Sequence, residues 1–250
     1  MKKLYKFLRT GLESESGNEK WTLNKWKQIN GALEMCKRGF HCSGTPYQAF
    51  SYIQGEVLAI VEPRGKSIIQ DDKECWESMR IVKAYKWTKK DSMTFAIYAA
   101  ELVIKNFEKE YPNDKRPREA IKAAKKVLFH DTKKNRDAAS DAAYEASSAA
   151  YEASSADSAA YSADSVAYAA SAASSASYAA DAAYAASYAD SAAYHAASSA
   201  DSVASAASAA SAAFYAASAA FYAASAAYAA VYKKLGLWMK KRIRLLKPIK

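Results

Sequence analysis

Between Asp91 and Tyr111 the apolar positions Met93, Ile97, Ala100, Ile104, Phe107 and Tyr111 recur at helical spacing. The spacing predicts an amphipathic helix, capped by Asp91 or Ser92. Pro112-Asn113-Asp114 ends it, and Pro117 restarts a second helix at a first-turn position. Ala120, Ile121, Ala124, Val127 and Leu128 give that helix its apolar side, while Lys122, Lys125 and Lys126 face water. It is expected to end near Phe129-His130-Asp131, so residues 91–136 read as an antiparallel hairpin. Upstream the period changes. Thr45-Pro46 opens a short helix carrying Tyr47, Phe50 and Tyr52. Val57, Leu58, Ile60 and Val61 mark a strand over Glu56 to Val61, Pro63-Arg64-Gly65 reads as a turn, and Ser67 to Ile69 as the returning strand. Met79 to Trp87 alternates, with Ile81, Lys83, Tyr85 and Trp87 on one side. Residues 1–90 therefore read as a small α+β domain of three to five strands.

Downstream the pattern changes again. Residues 137–232 contain 47 Ala, 22 Ser and 12 Tyr in 96 positions, without Gly, Pro or Thr. The run is low in complexity but dominated by the best helix former, so it predicts helix and not disorder. On a wheel of about 100° per residue its tyrosines go all round the cylinder, which excludes one coherent helix. Local pairs stay in phase: Tyr144 with Tyr151, Tyr161 with Tyr168, Tyr184 with Tyr188. Three or four helices follow, broken at Asp157-Ser158, Ser174-Ser175 and Ser198 to Ser202, because Ser and Asp cap helix starts. They are expected to pack through Ala and Ser, with tyrosine rings filling the gaps. From about Ser205 to Leu246 the stripe Phe214, Phe221, Tyr228, Tyr232, Leu235, Met239, Ile243 and Leu246 predicts one long helix with this row in the core. The fold class read from the sequence is an α+β head followed by an all-α bundle rich in Ala, Ser and Tyr, with helix predominant.

Charge divides the chain the same way. Residues 1–136 hold 28 Lys/Arg against 17 Asp/Glu, residues 137–232 hold nine acids and no base, and residues 233–250 hold eight bases and no acid. The net +10 is what remains of +11, −9 and +8. Nine acids over 96 residues are too sparse to imitate nucleic acid. The tail surrounds Leu235, Leu237, Trp238, Met239 and Ile243 with Lys240, Lys241, Arg242 and Arg244. A cationic amphipathic segment with an interfacial Trp fits an anionic membrane or nucleic acid, with Trp238, Lys240, Lys241, Arg242 and Arg244 as contacts. The other reading has its apolar side completing the helical bundle while its charges offset the acidic spine. Ser202 to Tyr232 carries no formal charge over 31 residues, yet lacks the Leu, Ile and Val of a typical span.

Three irregularly spaced cysteines, Cys36, Cys42 and Cys75, and no secretory signal point to an intracellular, cytoplasmic protein with reduced thiols. Cys36, His41 and Cys42 lie close in sequence, but without a Cys-x-x-Cys pair no metal is assigned. No nucleophile elbow, P-loop, dinucleotide fingerprint or zincin motif is present, and no cofactor or catalytic residue is assigned. His41 is the one histidine with company: Glu34 nearby, and Asp71 and Asp72 downstream, as candidate ligand contacts for a nucleotide-like molecule.

The segment Phe107 to Ile121, with its step Arg116-Pro117-Arg118-Glu119-Ala120-Ile121 and the Ala-rich helical run after it, resembles the immunity-protein family of bacterial toxin systems. Cys36-x-x-Gly39-Phe40-His41, with Asp71-Asp72-Lys73 downstream, resembles a domain of phage and bacterial proteins to which no function is assigned. The resemblance implies a setting of toxin–immunity or phage–host conflict and a protein partner, a toxin or defence component; it implies no catalytic residue. Arg116 and Arg118 join the candidate contacts on the strength of that step. The leading expectation is a non-enzymatic binding protein. The alternatives are an enzyme or nucleotide-ligand binder using a pocket around His41, and a membrane-active protein acting through residues 202–250. The Ala-rich faces would also allow a homo-oligomer.

Overall fold

The computed structural model describes residues 3–15, 19–53, 55–153, 157–174, 184–189, 191–195 and 210–249, with backbone alone at 158, 171–174 and 210–224. The chain forms an N-terminal antiparallel sheet followed by helices, and 55% of it is helical. It divides into two compact units: Met1–Thr88 together with Gly236–Lys250, and Lys89–Leu235.

The first unit contains β1 (Leu4–Leu8), β2 (Lys27–Gln28), β3 (Phe40–Cys42), α1 (Pro46–Tyr52), β4 (Val57–Ile69), β5 (Glu74–Lys86) and β6 (Pro248–Ile249). The sheet runs β1-β4-β5-β2, and β3 and β6 also pair with β5. Six strands thus replace the expected three to five, because three of them are only two or three residues long and carry no periodic signal of their own. One core gathers Leu4, Leu8, Val57, Ala59, Val61, Met79 and Ile81 with Trp21. A second is aromatic: Phe7 lies 4.9 Å from Phe50 and 5.6 Å from Trp87, ring centre to ring centre, and Phe50 lies 5.6 Å from Trp87. Thr45 caps α1 by accepting the Gln48 N–H at 3.1 Å, with Pro46 in the first turn as its φ requires.

One sequence expectation is corrected here. Pro63-Arg64-Gly65 is not a turn: β4 runs through it, and the register slips between Arg64 and Ser67. Pro63 and Arg64 stay paired with Met79 and Ser78; Gly65, at φ +85°, and Lys66 stand opposite Glu77, whose carboxylate accepts the Lys66 N–H at 3.0 Å, and form a bulge within the hairpin. The reversal comes later, where the Gln70 N–H donates to the Lys73 carbonyl at 2.9 Å.

The second unit contains α2 (Lys89–Glu110), α3 (Arg116–Phe129), α4 (Lys133–Glu152) and α5 (Asp157–Ser174), then two short helical stretches at 184–189 and 191–195. A C-terminal helix, Ala210–Arg242, begins in this unit and leads into the 3-10 turn Ile243–Leu245. α2 starts two residues before the expected cap, which leaves Asp91 and Ser92 buried in its first turn. The hairpin face is as patterned: Met93, Ile97, Ala100, Ile104 and Phe107 are buried, as are Ala120, Ile121, Ala124 and Val127. α5 begins at Asp157 as expected and is described to Ser174; Ser175 and Ser198 to Ser202 lie outside the described residues.

α5 packs on α2, α3 and α4 through side chains the size of a methyl group. Ala149, Ala150, Ala153, Ala159 and Ala163 close around Phe107. Such close approach leaves no gap for rings on α4, and Tyr144 and Tyr151 stand 73% and 82% exposed instead of filling the interior. In the stripe predicted for the core of the last helix, Tyr228 is likewise exposed, while Leu235, Met239, Ile243 and Leu246 are buried. Ala163 is fully buried at the centre of this contact. Ala163→Leu is therefore expected to destabilise the helices by about 1–3 kcal/mol through overpacking. A urea melt followed at 222 nm measures it, and an unchanged midpoint would refute the close packing.

Candidate functional site

The two arginines of the Arg-Pro-Arg step fasten the helical unit. Arg116 sits at the start of α3 between two carboxylates, Asp114 at 2.7 Å and Glu152 of α4 at 3.0 Å. Hydrogen bonds to Arg116 hold both carboxyls below their ordinary range. Arg118 forks onto Glu108 of α2 at 2.6 and 2.7 Å and depresses that carboxyl likewise. Bidentate pairs of this kind fix orientation as much as they add energy. They tie α3 to its neighbours, and this role accounts for both residues without a ligand.

The outward face of α4 has a different character. Asp141, Tyr144, Glu145, Tyr151 and Glu152 are all exposed, and they fall within about 120° of the helical wheel. The inward side is Ala139, Ala146, Ala149 and Ala150. Nearby, an aromatic row runs along α5 and the stretches after it. Tyr168 meets Tyr184 and Tyr188 at 5.2 Å, Tyr161 meets Tyr188 at 5.9 Å, and His195 stacks on Tyr161 at 4.8 Å. The in-phase pairs 161/168 and 184/188 of the sequence are thus two sides of one contact. His195 also lies 3.5 Å from Asp157, and a cavity of about 370 Å³ opens where the row ends, lined by Ser191, Tyr194, His195, Ser225 and Tyr228.

In the head, a cleft of about 450 Å³ lies beside His41, with Lys6, Cys36, Ser43, Tyr52 and Lys73 in its lining. His41 Nε2 accepts the Cys36 backbone N–H at 2.9 Å, a bond only the neutral ring makes. Burial, then Lys6, then Lys73, holds the imidazole below its ordinary value. That N–H bond pins a tight loop in which Cys36 takes φ +65° and Glu34 bridges to Arg38. Gly39, at φ +137°, completes the loop, because a Cβ there would fall 2.2 Å from Cys75 Sγ. His41 is therefore a neutral structural pin with its Nε2 lone pair spent.

The other expected contacts are placed differently. Glu34 pairs with Lys37 at 2.6 Å and does not line the cleft. Asp71 offers only its backbone carbonyl, to Gln48 at 3.3 Å. Asp72 accepts the Tyr52 hydroxyl, and so reaches the cleft through that ring. Lys73 stands over Tyr52 at 5.0 Å and 3.3 Å from Cys36 Sγ. The sequence reading missed Lys6, whose Nζ donates to the His41 carbonyl at 3.0 Å. Its signal is a lone lysine inside the apolar run Leu4-Tyr5-Lys6-Phe7-Leu8. None of the three cysteines is in a disulfide, and among the described residues no three His, Cys, Asp or Glu gather as a metal site.

The basic tail belongs to the head: residues 236–250 share one compact unit with the sheet. Lys247 accepts the Lys86 N–H at 3.0 Å, Pro248 and Ile249 pair with Tyr85 and Ala84, and Ile249 packs on the sheet core. Three edge contacts with β5 hold it there. Lys240 and Arg244 line a recess of the same unit; Trp238 is half-buried, and Lys241 and Arg242 do not line that recess. Among the described residues no helix is long and apolar enough to cross a membrane.

No curated protein and no solved structure matches the chain. Two family models do, and they meet where the sheet gives way to α2. Residues 2–92 match a domain of unknown function, DUF7666, and residues 85–194 match the family described as Imm-5 like putative immunity protein, the pair of likenesses already carried by His41's loop and the Arg116 step.

Proposed function

We propose that this chain is a non-enzymatic immunity protein that neutralises a protein toxin or defence component by binding it. Its Ala-, Ser- and Tyr-rich region serves as a helical bundle that presents the binding face. The match of residues 85–194 to the immunity-protein family carries this reading. The outward face of α4 supports it: two tyrosines exposed by 73% and 82% stand among the acids Asp141 and Glu145, with Glu152 beside them held by Arg116. Tyrosine is enriched at binding hot spots, and a row of acids steers and orients a basic partner. The test is protection of growth when the chain is co-expressed with a candidate toxin, together with the affinity of the purified pair. Tyr144→Ala with Tyr151→Ala is expected to weaken binding about 30-fold or more and abolish protection. The fold should be untouched, because substitutions at such exposed positions shift stability by about 0.5 kcal/mol or less. Undiminished binding by the double variant would remove α4 from the interface, and failure to protect against any candidate would remove the function itself.

A second reading, a small-ligand site at His41, rests on the cleft of about 450 Å³ with Lys6 and Lys73 in its wall. The bond from the Cys36 N–H to His41 Nε2 favours binding over acid–base catalysis there.

A further inference from the structure

The head holds a second recess, about 960 Å³, which shares only Tyr5 with the His41 cleft. Its walls come from two parts of one unit: the sheet (β1, β4, β5) and the tail after Gly236. Tyr5, Ile60 and Lys83 form a row across three strands, and Tyr85 follows Lys83 on the same face of β5. Lys240 and Arg244 close the recess from the tail, and Lys3 from the start of the chain. Pairing of Pro248 and Ile249 with β5 fixes the tail wall, so the recess is built and not a chance gap.

Four cations thus surround a floor of tyrosine and aliphatic side chains. Among the described residues Lys3, Lys83, Lys240 and Arg244 have no ion-pair partner. Glu62 is the single acid in the lining, and Arg80 already holds its carboxylate at 2.6 and 2.9 Å. Unpaired positive charge over an aromatic floor calls for an occupant that is anionic and also carries a flat, stackable body. Tyr85, half-buried, offers the stacking surface, and Tyr5 shares the lining with it. A lipid surface fits less well: Ile243 and Leu246, which line the recess, are buried and Ile249 packs on the core, while the tail's exposed Leu237 and Leu245 lie outside the lining. The recess stands at the upper end of small-ligand sites, roughly 300–1,000 Å³, and has room for more than one nucleotide.

We propose that this recess binds nucleotides, as units of a single-stranded nucleic acid, with Lys3, Lys83, Lys240 and Arg244 on the phosphates and Tyr85 stacked on a base. The site is independent of the toxin-binding reading, since no residue of the helical unit takes part. The probe is a fluorescein-labelled oligothymidylate of about eight nucleotides, followed by anisotropy on the full chain, with AMP as competitor. Binding is expected to weaken with salt, log K falling with log salt at a slope of up to about −3 for four contacts on a single strand. Lys83→Glu with Arg244→Glu should reduce affinity at least ten-fold and flatten that slope. Tyr85→Ala should reduce it roughly ten-fold or more, while Tyr85→Phe keeps it, which separates stacking from the hydroxyl. Competition by AMP at millimolar concentration would support the site and make the free nucleotide its natural occupant; a strand not competed by AMP would support the strand. The proposal is overturned if neither probe binds at low salt, if binding ignores the charge reversals or Tyr85→Ala, or if the chain sediments with anionic vesicles in place of binding either probe. Lys83 and Arg244 are exposed, so the charge-reversed double variant folds.

Discussion

Trp87→Ala is expected to destabilise the head by about 3–5 kcal/mol, enough to unfold a domain of ordinary stability. Trp87 is 1% exposed and follows directly on β5, and its ring meets Phe7 edge-on and Phe50 at a tilt. Its backbone N–H donates to the Glu56 carbonyl at 2.8 Å and holds the start of β4. One side chain thus joins β1, α1 and β5, and removing it leaves a cavity that two other rings cannot collapse into without leaving their rotamers. Equilibrium urea unfolding followed by near-ultraviolet circular dichroism gives the loss directly. Trp87→Phe, which keeps an aromatic contact, should cost clearly less. A loss below about 1 kcal/mol for the alanine variant would mean that the aromatic cluster is not what holds the sheet to α1.

The legibility of this fold follows the length and regularity of its elements. The hairpin of α2 and α3 was readable because six apolar positions repeat at helical spacing and Pro117 marks a start. Thr45-Pro46 was readable for the same local reason. Pro63-Arg64-Gly65 misled, because a bulge and a turn use the same residues. What decides between them is Glu77, twelve positions beyond Gly65, which accepts the Lys66 N–H. The tail left two readings open: its amphipathic pattern states that something is covered, not which surface covers it. Ile249 meets the sheet because the edge of β5 is open beside Ala84 and Tyr85, a fact about pairing that no window of sequence contains.

The candidate residues show the same division. His41 was found by type and company, and it does stand at a cleft. Its role was not legible, because that depends on the Cys36 N–H that occupies Nε2. Arg116 and Arg118 were found through a motif, and the structure explains the motif as helix-to-helix fastening. Lys83 and Tyr85 read only as alternating strand residues. They gain meaning when the tail brings Lys240 and Arg244 to the same recess.

Lys6→Met is expected to change both the stability of the head and its dependence on pH. Lys6 is 8% exposed, and burial lowers its ammonium from 10.5 to about 8. Between those two values the unfolded chain holds a proton that the folded chain has released, so stability rises with pH across that window. Below pH 8 both states are charged, and the folded state stays lower in stability by about 3 kcal/mol for the buried charge. Methionine removes that cost but leaves the His41 carbonyl without its donor, a loss of about 1–2 kcal/mol. The variant should therefore be about 1–2 kcal/mol more stable at pH 7, lose that advantage on the way to pH 10, and show no rise of its own over the window. A second readout is independent of stability: the His41 imidazole, held down in part by Lys6, should titrate at higher pH in the variant, as its ring resonances report. A wild-type stability that is flat from pH 8 to 10 would show that the Lys6 ammonium is solvated after all. If the rise is present, the head carries a buried cation at a net cost, in the wall of a cleft shared with Lys73 and Tyr52. A buried cation kept at such a cost in the wall of a cleft is a candidate binding residue. That places Lys6, ahead of His41, as the residue around which an anionic ligand for this cleft should be sought.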